Sequence, residues 1–171
     1  MHTPHGSRRT SRILTSLVFL AFAACVAPAT FDPPSRHKAL YVEMRDGVRI
    51  AIDLWMPEGL QPGTRIPTIM RATRYWRAED RVGQELEGDT NYAEAGRFNE
   101  AGYALVVVDA RGSGASFGVR RFELAEDEVS DYGEIVDWIV TQSWSNQRVG
   151  AYGVSYAGNT AEMLTVNNHP A

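Results

Sequence analysis

Residues 149–158 read Val149-Gly-Ala-Tyr-Gly153-Val-Ser155-Tyr-Ala-Gly158, a short β-prone run that passes through a single Ser into a segment of helical composition, Tyr156 to Asn167. A Ser placed where a buried strand turns directly into a helix has its hydroxyl lifted out of the sheet at the carboxyl edge. Gly153, Ala157 and Gly158 are small, as a sharp turn between two packed elements requires. The first N–H groups of the new helix point into the same space, where they suit a developing negative charge. The strict Gly-x-Ser-x-Gly spacing is not kept: Ala157 holds its last position and Gly158 follows one residue later. On these residues alone Ser155 is either a nucleophile or an ordinary helix N-cap, a role Ser often fills.

Upstream the chain alternates strands and helices. Gly102-Tyr-Ala-Leu-Val-Val-Val-Asp109 is an apolar, largely β-branched run, suited to a strand buried on both faces. Between Asp127 and Gln142, Val129, Tyr132, Ile135, Val136, Ile139 and Val140 recur at helical spacing. Glu126, Asp127, Glu128 and Asp131 sit at that helix's N-terminus and complement its dipole. Earlier, Tyr41–Met44 and Val48–Trp55 flank Arg45-Asp46-Gly47, a strong hairpin signal. Ile66–Met70 predicts a short strand, Asn91–Asn99 a helix and Val149–Val154 the fifth strand. The pattern predicts an α/β fold: a mostly parallel sheet opened by an antiparallel N-terminal hairpin.

Composition narrows the function. The 171 residues are 44% hydrophobic and 22% charged, which suits a globular domain. Lys and Arg number 17 against 21 Asp and Glu, a net charge of −4. Arg8, Arg9 and Arg12 lie in an N-terminal segment expected to be removed, and without them the balance falls by three, to −7. An acidic body with scattered Arg carries no electrostatic footprint for nucleic acid. The single Cys makes neither an internal disulfide nor, alone, a Cys-rich metal site.

The three arginines precede an apolar run from Ile13 to Val26 that Pro28, Pro33 and Pro34 soon interrupt. It is too short to span a bilayer, which needs about 20 apolar residues, and reads as a secretory signal over 1–24. Phe22-Ala-Ala-Cys25 resembles the lipobox of bacterial lipoproteins, which would lipidate Cys25. Plain signal-peptidase cleavage and a buried apolar helix are the alternatives. Residues 25–40, Pro-rich and without period, read as a tether, leaving 41–171 as the folded domain. The expected location is exported: periplasmic, membrane-anchored or secreted.

Several ordered motifs resemble those of the cocaine-esterase-like hydrolases, relatives of X-prolyl dipeptidyl aminopeptidase and α-amino acid ester hydrolase. Met44 to Leu54 looks like that family's opening hairpin, and Arg71-Ala-Thr-Arg-Tyr75 like its oxyanion Tyr segment. Gly102 to Ser116 looks like its fourth strand and loop, and Trp144 to Gly158 like its elbow with the lead-in. The resemblance covers Tyr41 to Ala171 and implies an α/β-hydrolase fold without a cofactor. It implies that Ser155 is the acyl-accepting nucleophile, that the Tyr156 backbone N–H is one oxyanion donor and that the Tyr75 hydroxyl is the other. Tyr75 and Trp76 as plain packing aromatics are the bland alternative. The implied substrates are small esters, amino-acid esters or peptides.

Two other readings carry less. Gly112, Gly114 and Gly118 invite a phosphate cradle, but they follow a late strand, and the acidic residue expected about 20 positions on, Glu134, falls inside a helix. Asp109 and Arg111 fit better as residues that order this loop. The four His are His2, His5, His37 and His169, an arrangement that suits no metal site. Their positions also leave Ser155 without an obvious base, since in this fold the acid and the base follow the Ser. His169, beside Pro170 at the end of a helix, reads as a loop residue, and Glu162 lies in mid-helix. The expectation is therefore the N-terminal part of a serine hydrolase, inactive alone, with acid and base beyond residue 171. The alternative is a non-catalytic envelope lipoprotein that binds a ligand or partner.

Overall fold

In a computed structural model the chain divides into two units, Met1–Thr30 and Phe31–Ala171. The structure describes residues 35–77 and 90–171, all in the second unit. The signal, the lipobox and most of the tether lie outside the described residues. Among the described residues no helix is long and apolar enough to cross a membrane.

The hairpin forms around Gly47, whose φ of 77° needs no Cβ. β1 (Ser35–Glu43) and β2 (Arg49–Pro57) pair antiparallel in one unbroken register from Ser35↔Pro57 to Glu43↔Arg49. The tether expectation is corrected here: Ser35 to Leu40 are strand. An edge strand is held by main-chain bonds to its single neighbour and needs no apolar alternation. His37 adds to this by stacking on Trp55 at 4.1 Å, with its Nε2 2.9 Å from Asp53.

β3 (Ile66–Thr73), α1 (Thr90–Glu100), β4 (Ala104–Asp109), α2 (Glu126–Thr141), β5 (Ser145–Ala151) and α3 (Tyr156–Met163) follow, with a closing 3-10 turn at Leu164–Asn167. The sheet order is β1-β2-β4-β3-β5, with β4, β3 and β5 parallel, β2 antiparallel to β4 and β1 antiparallel to β2. This is a mixed α/β sheet, as the alternation of elements predicts. Every residue of β4 is buried because helices lie on both of its faces. Val106 and Val108 face a core with Ile52, Met70, Tyr132, Ile135 and Ile139, which α2 closes. Leu105 and Val107 face a smaller core with Trp55 and Ala95, which α1 closes.

The fifth strand differs from its expected span of Val149–Val154. It starts four residues earlier, at polar Ser145, because parallel bonds to β3 hold it through a register irregularity near Gln147, whose φ is 67°. It ends at Ala151 because residues 152–154 bend into the elbow. Its first four residues, Ser145 to Arg148, are polar. Val149 and Ala151 line a shallow cavity of about 390 Å³ with Val136, Ala161, Leu164 and His169.

Candidate active site

Ser155 stands between β5 and α3 with φ 57° and ψ −128°. A side chain at positive φ is uncommon and costs about 1–3 kcal/mol, so surrounding packing has to impose it. Gly153 permits the bend, since a Cβ there would lie 2.2 Å from the Ala157 carbonyl carbon. Behind the bend, the Thr160 hydroxyl donates to the Ala72 carbonyl at 2.9 Å and ties α3 to the end of β3. The Ser155 side chain is left exposed, while Tyr156 and Ala157 are buried. The Ser155 carbonyl accepts the N–H groups of Gly158 and Asn159 at 2.9 and 3.0 Å. As at any helix start, the N–H of Tyr156 has no partner within the helix.

Across the bend lies the segment that leaves β3. The Tyr75 N–H donates to Thr73 Oγ1 at 3.0 Å, and the Arg77 N–H donates to Asp109 Oδ1 at 2.7 Å. Arg77 also reaches Asp53 through Nη1 at 2.6 Å. Anchored on both sides, the half-exposed Tyr75 places its hydroxyl 3.4 Å from Ser155 Oγ. The structure thus brings together Ser155, Tyr75 and Tyr156, the three residues singled out in the sequence. The Tyr75 and Tyr156 rings meet edge-on, with centroids 6.1 Å apart.

Two charged residues at this site were not legible as site residues. The Arg74 guanidinium carbon lies 5.0 Å from the Tyr75 ring centroid and 4.9 Å from that of Tyr156. Its Nη2 is 3.4 Å from the Tyr75 hydroxyl, and the same guanidinium pairs with Glu123. The hydrogen bond with Ser155, and secondly Arg74, holds the Tyr75 phenol below its ordinary pKa. Beneath Tyr156 is Glu128, only 1% exposed. Its carboxylate accepts the phenol O–H groups of both Tyr156 and Tyr132, and the Leu124 N–H at 3.1 Å. Burial first, then Glu128, pushes the Tyr156 phenol up to about 12, so it remains a donor.

The acids at the start of α2 stand where the helix dipole favours them, and burial divides them into two groups. Glu126 and Asp127 are not buried, but Glu128 and Asp131 are. The spacing Glu128, Tyr132, Ile135 sets Glu128 on the buried stripe and was the available signal.

The Gly-rich loop after β4 is closed upon itself. Asp109 Oδ2 accepts the Ala115 N–H at 2.8 Å, and a Cβ on Gly114 would collide with that carboxylate. Ser116 Oγ donates to the Asp109 carbonyl at 2.7 Å and accepts the Ala51 N–H at 2.9 Å. Arg111 binds buried Asp131 through Nε at 2.7 Å and Asp46 through Nη1 at 2.7 Å. Asp109 and Arg111 therefore order the loop. Neither described histidine hydrogen-bonds Ser155: His37 packs on Trp55, and His169 Nε2 lies 3.0 Å from Asp137.

The sequence matches the X-Pro dipeptidyl-peptidase (S15) family over residues 46–171. It is 48% identical over 147 residues to a candidate serine esterase of Mycobacterium bovis, covering 80% of this chain and 23% of the relative. It is 37% identical over 126 residues to the cocaine esterase of a Rhodococcus species, covering 74% and 20%. Among solved structures, a CocE/NonD family hydrolase of Staphylococcus aureus superposes with TM-score 0.65 at 26% identity, covering 81% of this chain and 29% of that one. An α-amino acid ester hydrolase superposes with TM-score 0.62 at 28% identity, covering 91% and 27%. The chain spans about a fifth of the length of the curated relatives it matches.

Proposed function

The chain belongs to the X-Pro dipeptidyl-peptidase (S15) family of hydrolases, and from that premise we propose that it carries the nucleophile and oxyanion donors of a serine hydrolase acting on ester or amide bonds. Ser155 Oγ attacks the acyl carbonyl carbon and gives up its proton to a general base. The carbonyl oxygen takes the negative charge and is met by the Tyr156 N–H and the Tyr75 O–H. Collapse of this intermediate breaks the bond to the leaving alcohol or amine, which departs with the proton. Water then releases the acyl group from Ser155 by the same steps in reverse.

The observation that carries this reading is the 3.4 Å approach of the Tyr75 hydroxyl to an exposed Ser155 Oγ held at positive φ. A phenol suits this task because it is a neutral donor, fixed before the reaction begins. Esters and amino-acid esters are the substrates proposed, in keeping with the esterase and amino-ester hydrolase relatives. The test is a fluorophosphonate probe applied to the protein as its gene encodes it. Labelling should fall on Ser155 and vanish in Ser155→Ala; labelling that persists in that variant rejects the assignment.

Export belongs to the same reading, resting on the basic, apolar and Pro-rich order of residues 8–34. If Cys25 carries a lipid, Cys25→Ala should move the protein from the membrane to the soluble fraction. A variant that stays with the membrane removes the anchor from the proposal.

A further inference from the structure

We propose that Glu128 is the positioning residue of the oxyanion site, acting through the phenol of Tyr156 to fix the backbone N–H next to Ser155. The inference rests on the serine-hydrolase reading and deepens it. Tyr156 has two parts with different tasks. Its N–H, at the first position of α3, is the proposed oxyanion donor, while its buried side chain ends on the Glu128 carboxylate. That carboxylate is itself fixed from three directions, by the Tyr156 and Tyr132 hydroxyls and the Leu124 N–H.

Tyr132 is 1% and Tyr156 3% exposed, so neither hydroxyl has water as a substitute partner. A carboxylate this deeply buried is expensive unless its oxygens are satisfied, and here two phenols and an amide do so. The result is a rigid post from α2 to the first residue of α3. The post matters for Tyr75 as well, because that ring rests edge-on against Tyr156, with Arg74 across both. One buried acid thus sets the positions of both proposed oxyanion donors. A displacement of about 1 Å at such donors can cost ~10²-fold in rate.

The experiment, on the protein as its gene encodes it, measures kcat and KM on p-nitrophenyl acetate for Glu128→Ala, Glu128→Gln, Tyr156→Phe and the double variant Glu128→Gln/Tyr156→Phe. Turnover should fall ~10- to 100-fold in Glu128→Ala with KM little changed. Glu128→Gln should recover part of the loss, since its carbonyl still accepts one phenol. Tyr156→Phe, which keeps the ring and the N–H, should lose turnover similarly, and the double variant should lose no more than the worse single one. Should Glu128→Ala fail to fold, the Gln and Phe variants carry the test alone. Wild-type kcat in Glu128→Gln and Tyr156→Phe with only a lowered Tm would overturn the proposal and leave Glu128 a structural acid. Additive losses in the double variant would overturn it too. If the wild-type protein is neither labelled at Ser155 nor hydrolytic, it is the enzyme reading that has failed, a result distinct from both.

Discussion

Two glycine-containing turns leave the carboxyl ends of parallel strands, residues 110–118 after β4 and 152–155 after β5, and their polar groups have different fates. In the first, Asp109, Arg111 and Ser116 turn inward and are satisfied by the protein itself. In the second, the Ser155 hydroxyl points outward and meets another half-exposed hydroxyl. Gly114 is small to admit a carboxylate beneath it, whereas Gly153 is small to admit the backbone of a helix. Glycine content therefore does not distinguish a locked turn from a reactive one. What distinguishes them is whether the polar atoms already have partners.

The strongest test of that contrast is Arg111→Ala. Asp131, 1% exposed, would lose its buried partner, and unfolding in denaturant should show a loss of about 3–5 kcal/mol. Probe labelling of the molecules that remain folded should be unchanged. A fall in labelling at unchanged stability would bring the first turn into the chemistry and break the comparison.

Tyr75→Phe makes the opposite demand. Turnover should fall ~10²–10³-fold while thermal stability holds, because the hydroxyl lies at the surface and its proposed role is in the reaction rather than in the fold. There is a pH signature as well. The phenol donates only when neutral, and its pKa lies below the ordinary value, so wild-type turnover should decline as pH rises through that lowered value. The Phe variant should lack this alkaline decline. Equal rates for the two proteins across the pH range would remove Tyr75 from the site.

A smaller effect is expected of Asp46→Asn, at the exposed end of the Arg111 pair. The hydrogen bond from Arg111 holds the Asp46 carboxyl below its ordinary value of 3.8. A lowered carboxyl contributes stability above its unfolded pKa and loses it as pH falls through the folded one. Solvent screening limits this to under ~1 kcal/mol. Urea unfolding at neutral pH should show the difference from wild type, and it should shrink as the pH is taken below 3.8. A difference that persists in acid would assign it to something other than the ion pair.

Much of this was open to reading along the chain. An unbroken apolar run located β4, helical spacing located α2 and Asp46-Gly47 located the hairpin, because these signals are local. Strand ends were less legible. Ser35 to Leu40 and Ser145 to Arg148 became strand through bonds to a neighbour, which leave no trace in side-chain pattern. Glu128 and Arg74 escaped for a similar reason, since charge alone does not say which acid of a helix turns inward or which Arg lies over two rings.

By itself the sequence determined the alternation of strands and helices and the sharp bend at Ser155, because each rests on residue size, polarity and spacing over a few positions, whereas Tyr75 and Tyr156 were singled out through the resemblance of their segments to a family's motifs. Only the tertiary structure decided that Tyr75 faces Ser155 across 80 residues of chain and that Glu128 stands beneath Tyr156. Those relations come from the order in which β3, β4 and β5 lie in the sheet and from the packing of α2 upon it, quantities that depend on the whole fold at once.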